Sequence, residues 1–381
     1  MAQCHRMHCI ICLHDYPNIF FPLSSSLCMT SNSTIVESDL EYIASTPLDW
    51  ESFRSKTILI SGAGGFLASY LARSLVYSSD RYNLSLCIVL LVRQHPSSYP
   101  RLHSISSHPC VRFLQQSVCE PILSQEYKFD YIVHAASKAS PALYGIDPVG
   151  VIEANVLGTH YLLLKALQDK SRFLFLSAGE IYGIQPSAST LTITESSYGI
   201  VDPSSIRSCY AESKRLGENL CMAYWHQYQL HTTIVRPFHI YGPTLDLSDG
   251  RVHSDFVSNI VNSEAILLKS DGSHVRPFCY IADATLAFLN ILMSGDPGAA
   301  YNIANSSCAI SILDLAKLLI SIFPERSPSI RFVTRSSNDN YLVSPVSHFL
   351  PSTERLFSHG WSPRFHLKEG FTRTVLSFLH N

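Results

Sequence analysis

The sequence predicts an α/β fold in which a doubly wound parallel sheet carries a smaller mixed α/β lobe at its C-terminal end. Short apolar runs of strand length alternate with longer runs of helical spacing, which is the pattern of a sheet with helices on both faces. Near the start of this alternation a strand passes through glycines directly into a helix. Beyond Asp246 the sequence changes to a mixture of short strands and helices, of which Leu313–Phe323 is the clearest helix.

The strand–glycine–helix passage lies in Lys56–Ala72 and predicts a binding site for a pyrophosphate. Thr57–Ile60 has the character of a short buried strand. Backbone N–H groups at the start of the following helix have no partner, and the helix dipole adds positive charge there. A dinucleotide-binding, Rossmann-type domain is therefore expected, although an ordinary strand–helix turn has the same local pattern. The residues predicted to hold the dinucleotide here are Gly62, Gly64, Gly65, Phe66 and Leu67.

Composition excludes several classes of protein. The chain has 381 residues, of which 46% are hydrophobic and 15% charged, with a net charge of −2. The absence of a basic run argues against nucleic-acid binding, and no apolar stretch reaches the roughly 18 residues that span a bilayer. The 11 cysteines are scattered and odd in number, as expected of free thiols in a reducing compartment. We therefore predict a cytoplasmic protein without nucleic-acid or membrane partners.

The chain divides into four predicted regions. Residues 1–28 do not resemble the rest of the chain and are expected to be a disordered extension that precedes a start at Met29. Their Cys9-x-x-Cys12 pair is half of a zinc motif, but no second pair lies near it to complete a site. Residues 29–54 form an N-terminal helical segment, with a short helix expected at 36–54. The dinucleotide-binding domain is predicted at 55–243 and the substrate-binding lobe at 244–381, with residues around 275–290 able to return to the first domain. No metal is predicted.

Arg93 follows the second predicted strand, Leu86–Val92, where a dinucleotide fold usually has an acidic residue for the adenosine ribose. An arginine there could stack on adenine, meet a 2′-phosphate or lie on the surface, so NAD and NADP both remain open. The further elements predicted are the strands Val111–Leu114, Asp130–Ala135, Phe173–Ser177 and Thr232–Val235, the helices Asn155–Leu167 and Tyr210–Tyr228, and a loop at Ser187–Ser208.

Tyr210 and Lys214 are four residues apart on a predicted helix, so they share one face. A phenol with a pKa near 10 is a poor base at neutral pH, but a nearby ammonium favours the phenolate. The pair therefore predicts a general base, and the alternative is a chance amphipathic pair.

Seven motifs in this order resemble the extended short-chain dehydrogenase/reductase superfamily, in particular its NAD-dependent sugar-nucleotide epimerase/dehydratase family. The resemblance covers about Ser55 to Leu379. It is closest to the UDP-glucuronate decarboxylases, through the stretches His134–Pro141, Tyr210–Tyr224 and Asp249–Phe256. The seven motifs are Gly62–Ala68, Asp130–Ala136, Asn155–Thr159, Ser177–Gly183, Tyr210–Lys214, Arg236–Pro243 and Arg276–Asp283.

The resemblance implies bound NAD, a UDP-sugar substrate, a 4-keto intermediate and a homodimer. The helices that carry Asn155 and Tyr210 are the predicted interface, because they are more apolar than one buried face requires, at Tyr161, Leu162, Leu163, Leu164, Leu220, Met222, Tyr224 and Trp225. A 4-epimerase, a 4,6-dehydratase and a non-catalytic nucleotide-sugar or dinucleotide-binding protein remain as alternatives. The implied catalytic residues are Tyr210, Lys214, Glu180 and Ser177. The implied cofactor ligands, besides the glycine turn, are Arg93, Ala135, Ala136, Asn155, Tyr210 and Lys214. The implied substrate ligands are Ser137, Tyr182, Arg236, Arg251 and Arg276, of which Arg251 and Arg276 are expected to meet the UDP phosphates.

Three positions depart from the family pattern. Ala178 stands where the family has a catalytic serine or threonine, and Gly179 stands where 4,6-dehydratases have an acidic residue. His348 lies in the stretch where decarboxylases have an arginine. Glu180, which decarboxylases share, is kept, and its alternative role is hydrogen bonding to the Ser-rich loop.

Overall fold

Seven parallel strands form the central sheet of the computed structural model, which describes residues 32–123, 125–185, 192–326, 329–333 and 350–379. In chain order, the strands of the described residues, inside and outside the central sheet, are β1 Thr57–Ser61, β2 Cys87–Val92, β3 Val111–Gln115, β4 Tyr131–His134, β5 Arg172–Leu176, β6 Thr232–Pro237, β7 Ile240–Tyr241, β8 Ile266–Leu268, β9 Val275–Pro277, β10 Cys279–Tyr280, β11 Ala299–Ile303, β12 Ala309–Ser311 and β13 Ile330–Phe332. The central sheet has the order β11–β6–β5–β4–β1–β2–β3. This doubly wound topology confirms the predicted fold class.

Helices cover both faces of the sheet. They are α1 Asn32–Ser45, α2 Phe66–Tyr82, α3 Pro141–Tyr144, α4 Pro148–Asp169, α5 Ser208–Tyr228, α6 Val252–Val261, α7 Ile281–Ser294, α8 Ile312–Ile322, α9 Glu354–Ser358 and α10 Leu367–Leu379. Successive residues of a strand point to opposite faces, so Ile58 and Ile60 enter the core under α2 and α7, whereas Leu59 enters the core under α4 and α5.

The predicted elements agree with the structure, with differences at their ends. The helix predicted to begin at Asn155 begins at Pro148, because Asp147 caps it by accepting the N–H of Gly150 at 3.0 Å and proline suits the first helical position. The helix predicted at 36–54 divides into α1 and a separate 3-10 turn at Trp50–Phe53.

The chain returns to the central sheet after the smaller lobe has begun. Strand β11 pairs with β6 at the sheet edge, and α7 packs against β5, β6 and α2. Three two-stranded pairs, β7–β10, β8–β13 and β9–β12, lie outside the central sheet. The segment predicted to return, 275–290, is thus represented by α7, and the return extends to Ile303.

Some sequence predictions fall outside the described residues. These are the extension at 1–28 with Cys9 and Cys12, the position of His348, and part of the loop predicted at 187–208. All cysteines within the described ranges are free thiols. None of the helices that the structure describes is long and apolar enough to cross a membrane.

A buried carboxylate ties α1 to the rest of the molecule. Asp39 is fully buried and accepts hydrogen bonds from the phenols of Tyr70 in α2 and Tyr280 at 2.5 and 2.7 Å. Its other oxygen pairs with the guanidinium of Arg373 in α10. The carboxylate of Asp39 therefore connects α1 with α2, β10 and α10, which are distant from one another in the sequence.

We expect Asp39→Ala to lower the free energy of unfolding by about 3–5 kcal/mol, because it leaves the cation of Arg373 and two phenols without their buried acceptor. Urea denaturation followed by circular dichroism measures this. The control is Asp80→Ala, since the side chain of Asp80 is 64% exposed beside His108, and its loss should cost less than about 1 kcal/mol. Equal effects of the two substitutions would contradict the structural role of Asp39.

Candidate active site

The carboxyl ends of β1 and β4 meet at a crevice beside the glycine turn. Ser61, the last residue of β1, accepts hydrogen bonds through Oγ from the backbone N–H groups of Ala135 and Ala136, at 3.2 and 3.3 Å. A Cβ added to Gly62, whose φ is +65°, would lie 2.6 Å from Cα of Ala136. The two predicted cofactor positions after β4 are thus held directly against the glycine turn.

Gly65 leaves open space at the start of α2. It is the N-cap residue, with extended backbone and no capping side chain, and Phe66 and Leu67 follow as the first helical residues. A Cβ on Gly65 would meet only the carbonyl oxygen of Gly62, at 3.1 Å. The first N–H groups of a helix lack intrahelical partners. This cradle therefore fits the pyrophosphate of a nicotinamide dinucleotide.

Tyr210 and Lys214 are brought by α5 to the carboxyl end of β5. Lys214 Nζ donates to the carbonyl oxygen of Leu176 at 2.6 Å and lies 4.8 Å from the centroid of the Phe175 ring. It is 5.9 Å from the ring centroid of Tyr210. Burial lowers the pKa of Lys214 to about 7, against the opposing charge of Glu218.

Charged groups surround the buried phenol of Tyr210. Burial raises its pKa above the ordinary value, the carboxylate of Glu180 adds to this, and the guanidinium of Arg251 opposes it. Tyr144 stacks on the Tyr210 ring with centroids 5.2 Å apart, and Glu180 lies 3.5 Å from Nη2 of Arg207. The phenol of Tyr210 is therefore protonated at neutral pH.

Arg251 lies at the reacting end of this cleft. Its guanidinium donates to Asp249 at 2.7 Å and to the carbonyl oxygen of Ala139 at 2.5 Å. Its charge acts on both Tyr210 and Glu180. Arg251, which the sequence predicts to meet the substrate diphosphate, thus lies beside the phenol of Tyr210.

The segment after β5 lies against the same phenol. Ala178 belongs to the buried apolar cluster that contains Tyr210. The neighbouring Ser177 has a buried Oγ with no hydrogen-bond partner among the described residues. A Cβ on Gly179 would lie 2.5 Å from the ring of Phe238, so this ring fills the space that an acidic side chain would need.

Arg236 and Tyr182, two of the predicted substrate ligands, are bonded to each other and to other residues of the protein. Arg236 makes a bidentate buried ion pair with Glu218, at 3.0 and 2.6 Å. It also donates to the phenol oxygen of Tyr182 at 2.6 Å and to the carbonyl oxygen of Glu195 at 2.9 Å. Tyr182 in turn donates to Asn302 in β11 at 2.6 Å. Their polar groups are occupied by one another, which gives both residues a structural role.

Two predicted ligands have buried polar atoms with unused hydrogen-bonding capacity. Asn155 donates to Ser213 Oγ at 2.9 Å, but its Oδ1 accepts no hydrogen bond within the described ranges. The same holds for Oγ of Ser137, which follows Ala136 in the crevice. Such atoms are costly to bury unless a ligand or water meets them.

Two histidines that sequence reasoning missed lie close to Arg276 and Arg251. The rings of His239 and His253 both pack on Phe278, each with centroids 5.7 Å apart. Burial lowers the pKa of His253 to about 3, helped by the charge of Arg251. Burial also lowers the pKa of His239, and the charges of Arg276, His253 and Arg251 add to this effect. Both rings are therefore uncharged at neutral pH, and they place imidazole N–H donors beside the cations of Arg276 and Arg251, which suits an anion. In the sequence, His239 lies inside the Arg236–Pro243 motif and His253 lies two residues after Arg251.

Arg93 lies exposed after β2, at the same edge of the sheet as the glycine turn. Gly64 is covered by the ring of Tyr99, which a Cβ on this glycine would approach to 2.0 Å. The structure thus brings together the glycine turn, the residues after β4 and the Tyr210 group, and it leaves Arg93 at the outer end of the crevice.

Comparison with known proteins points to one family. The sequence profile of the NAD dependent epimerase/dehydratase family matches residues 58–304. UDP-glucuronic acid decarboxylase 5 of Arabidopsis thaliana is 32% identical over 316 residues, which cover 82% of this chain and 86% of the relative.

Two solved structures share the fold, each with a TM-score of 0.72. Each match covers 84% of this chain and 98% of the chain in the solved structure. One is UDP-glucose 4-epimerase from Thermotoga maritima with UDP-glucose, at 22% identity. The other is UDP-glucuronic acid 4-epimerase from Bacillus cereus with UDP-glucuronic acid and NAD, at 21% identity.

We expect Gly65→Val to weaken NAD⁺ binding at least about tenfold while the protein stays folded, because the new side chain fills the pyrophosphate cradle and meets little protein. Calorimetric titration with NAD⁺ and thermal unfolding measure the two effects.

Gly62→Ala is the contrasting variant. It should lower the free energy of unfolding by more than about 1 kcal/mol, because an alanine is strained at this positive φ and meets the backbone of Ala136. If Gly65→Val binds NAD⁺ as tightly as the parent, the dinucleotide site is elsewhere.

Proposed function

Because this chain belongs to the NAD dependent epimerase/dehydratase family, we propose that it converts a nucleotide sugar through a 4-keto intermediate, in a reaction most like UDP-glucuronate decarboxylation. The observation that carries the proposal is the position of Tyr210, buried between the charges of Glu180 and Arg251. Pure binding of a nucleotide sugar does not require a phenol placed in this way. A UDP-sugar is the favoured substrate.

Each group of the cleft has a proposed role in that chemistry. The nicotinamide, when bound, supplies the acceptor for the C4 hydride and returns it. Tyr210 takes the proton of the C4 hydroxyl, after the ammonium of Lys214 and other positive charge in the cleft have lowered its pKa. Glu180 is proposed to accept a hydrogen bond from the sugar, and its carboxylate lies 3.5 Å from the guanidinium of Arg207.

Among the alternative reactions, decarboxylation is supported by the charge of Arg251, because this charge suits a substrate that carries a carboxylate. A sugar oxidised at C4 and carrying a carboxylate at C6 is a β-keto acid, which can lose CO₂. A guanidinium at the reacting end suits a carboxylate in bidentate geometry. Arg276, with His239 and His253 beside it, is the proposed contact for the diphosphate.

The 4,6-dehydratase alternative is the weaker one, because that reaction uses an acid at the position of Gly179, and the ring of Phe238 occupies the side-chain space there. A 4-epimerase needs only the Tyr210–Lys214 pair and a sugar that can turn over in the cleft. The alanine at position 178, which brings no hydroxyl to the phenol, supports the third alternative, a binding protein.

We also propose a homodimer formed through α4 and α5. The sequence singled out Leu162, Leu163 and Tyr224 as surplus apolar residues of these helices, but all three are buried in the core of the monomer. Large apolar side chains that are at least 40% exposed remain on both helices, at Ile152, Leu157, Leu164, Leu216, Met222 and Tyr228. Apolar surface of this kind favours an interface.

The cytoplasm is the proposed location, which agrees with free thiols.

Tyr210→Phe should remove turnover, and Ala178→Thr should raise it by roughly tenfold or more, because a hydroxyl beside the phenol helps the C4 proton leave. The assay incubates UDP-glucuronate and a panel of UDP- and dTDP-sugars with the protein and cofactor, and reads products by mass. Tyr228→Phe, on the exposed end of α5, is the matched control and should not change the rate. If no sugar is converted by the parent or by Ala178→Thr, the binding-protein alternative replaces the catalytic one.

The parent should sediment as a dimer at micromolar concentration, and Leu157→Glu combined with Leu164→Glu should give a monomer, because a charge is costly in an apolar interface. Leu267→Glu changes an exposed leucine of β8 outside these helices and should leave the dimer intact. A monomeric parent would rule out this interface.

A further inference from the structure

The first turn of α6 holds polar atoms that the fold does not use. His253 is 1% exposed, and neither of its ring nitrogens has a hydrogen-bond partner among the described residues. The same is true of Oγ of the neighbouring Ser254. A neutral imidazole carries one donor and one acceptor, and it is costly to bury both without partners. Hydrogen-bonding capacity is therefore concentrated in the interior next to Arg251.

His253 is the inner member of a pair of imidazoles. His239 lies between β6 and β7 with a φ of +41°, a strained conformation for a side chain of this size. The two rings pack on the same Phe278 ring, each with centroids 5.7 Å apart. His239 is partly exposed, whereas His253 is buried. We call His239 and His253 the imidazole pair, and His239 is the member that solvent and ligands reach.

The charges that act on the imidazole pair are those of two arginines. Arg251 lowers the pKa of both rings, and Arg276 lowers that of His239. Asp249 pairs with Arg251 at 2.7 Å and offsets part of its charge. On their own, the arginines and burial therefore disfavour a proton on either ring.

Other charged groups near α6 do not reach the inner ring. Asp255, on α6 itself, is paired with Lys269 at 3.0 Å. The elements that pack against α6 are β8, α8 and α10. Within the described part of the chain, the pKa of His253 responds to burial and Arg251 and to none of the charges on these elements. Those charges are Asp314, Lys317, Lys368, Glu369 and Arg373.

A diphosphate beside Arg276 would reverse this balance. It brings two negative charges, and an opposite charge within about 4–6 Å raises the pKa of an imidazole by about 1–3. A protonated His239 has two N–H donors, of which one can meet a phosphate oxygen. The acceptor nitrogen of His253, which lacks a partner among the described residues, is the nearby group that can receive the other.

We propose that the imidazole pair takes up one proton from solvent when the diphosphate of a nucleotide sugar binds, so that the affinity for the nucleotide sugar rises as the pH falls. His239 carries this proton, and His253 holds the protonated ring in place. The inference rests on the proposed function, since it concerns binding of the substrate in the same cleft. It gives the site a dependence on pH that its arginines cannot supply, because a guanidinium stays charged throughout the physiological range.

The direction of the effect follows from the two states of the site. The pKa of His239 is higher in the complex than in the free protein, where burial and the arginines hold it below the ordinary value. Binding therefore takes up a proton at pH values between these two limits and takes up none above the higher one. The gain in affinity belongs to the acid side of neutrality and is absent at pH 8.

The first test uses the unmodified protein and UDP-glucose, which has a diphosphate and no carboxylate. Calorimetric titrations from pH 5.5 to pH 8 should show roughly three- to tenfold tighter binding at the acid end. Titrations at pH 5.5 in two buffers of different ionisation enthalpy measure the proton directly. We expect an uptake of up to about one proton for each molecule bound.

The second test removes the titrating rings. His239→Asn keeps a hydrogen-bonding side chain that does not titrate, and His253→Leu keeps apolar packing against Phe278. Both variants should lose the proton uptake and the acid-side gain, and His239→Asn should bind within about threefold of the parent at pH 8. His366→Asn, at an exposed histidine before α10, is the matched control and should keep the parent's pH dependence. Circular dichroism at each pH confirms that the variants are folded.

The remaining outcomes separate the inference from the proposed function. Binding of UDP-glucose without proton uptake or pH dependence overturns the inference and leaves the proposed function standing. Proton uptake that persists in His239→Asn also overturns it, because another group of the cleft then takes the proton. If the parent binds UDP-glucose at no pH, and converts no nucleotide sugar, the proposed function fails together with the inference.

Discussion

The close approach of β1 and β4 at their carboxyl ends is the constraint on which the site depends. Gly62 has a positive φ and no room for a Cβ against the backbone of Ala136, and Ser61 Oγ binds the two N–H groups that follow β4. The crevice that opens beyond this contact receives the N-terminus of α2 on one side and the phenol of Tyr210 on the other. Cofactor and catalytic groups are thus positioned by one backbone contact.

Burial then sets the charge states of the cleft. The same apolar surroundings raise the pKa of Tyr210 and lower that of Lys214. Burial thus favours the uncharged form of each group. Arg251 is the charge that opposes this at the phenol, and it comes from the smaller lobe. The lobe therefore contributes to the electrostatics of the site as well as to its walls.

Sequence patterns predicted the fold and the residues of the central site because both depend on local rules. Strand and helix periodicity identified the elements of the sheet, and the glycine turn and the Tyr210–Lys214 spacing identified the two halves of the crevice. The sequence did not distinguish a motif arginine that meets substrate from one that meets Glu218, since both appear as an arginine before a proline. It also placed Leu162, Leu163 and Tyr224 on a surface, although packing of α4 and α5 on the sheet buries them.

By itself the sequence determined the doubly wound sheet, the glycine turn, the Tyr210–Lys214 spacing and the alanine at position 178, because each is a property of neighbours along the chain. Only the tertiary structure decided that Arg236 and Tyr182 are interior partners, that Arg251 faces the phenol, that His239 and His253 converge with two arginines, and that the ring of Phe238 closes the space at Gly179. The physical reason is the same in each case. The partner that occupies or frees a side chain comes from a distant part of the chain, and the pairing is decided by how the lobe packs on the sheet.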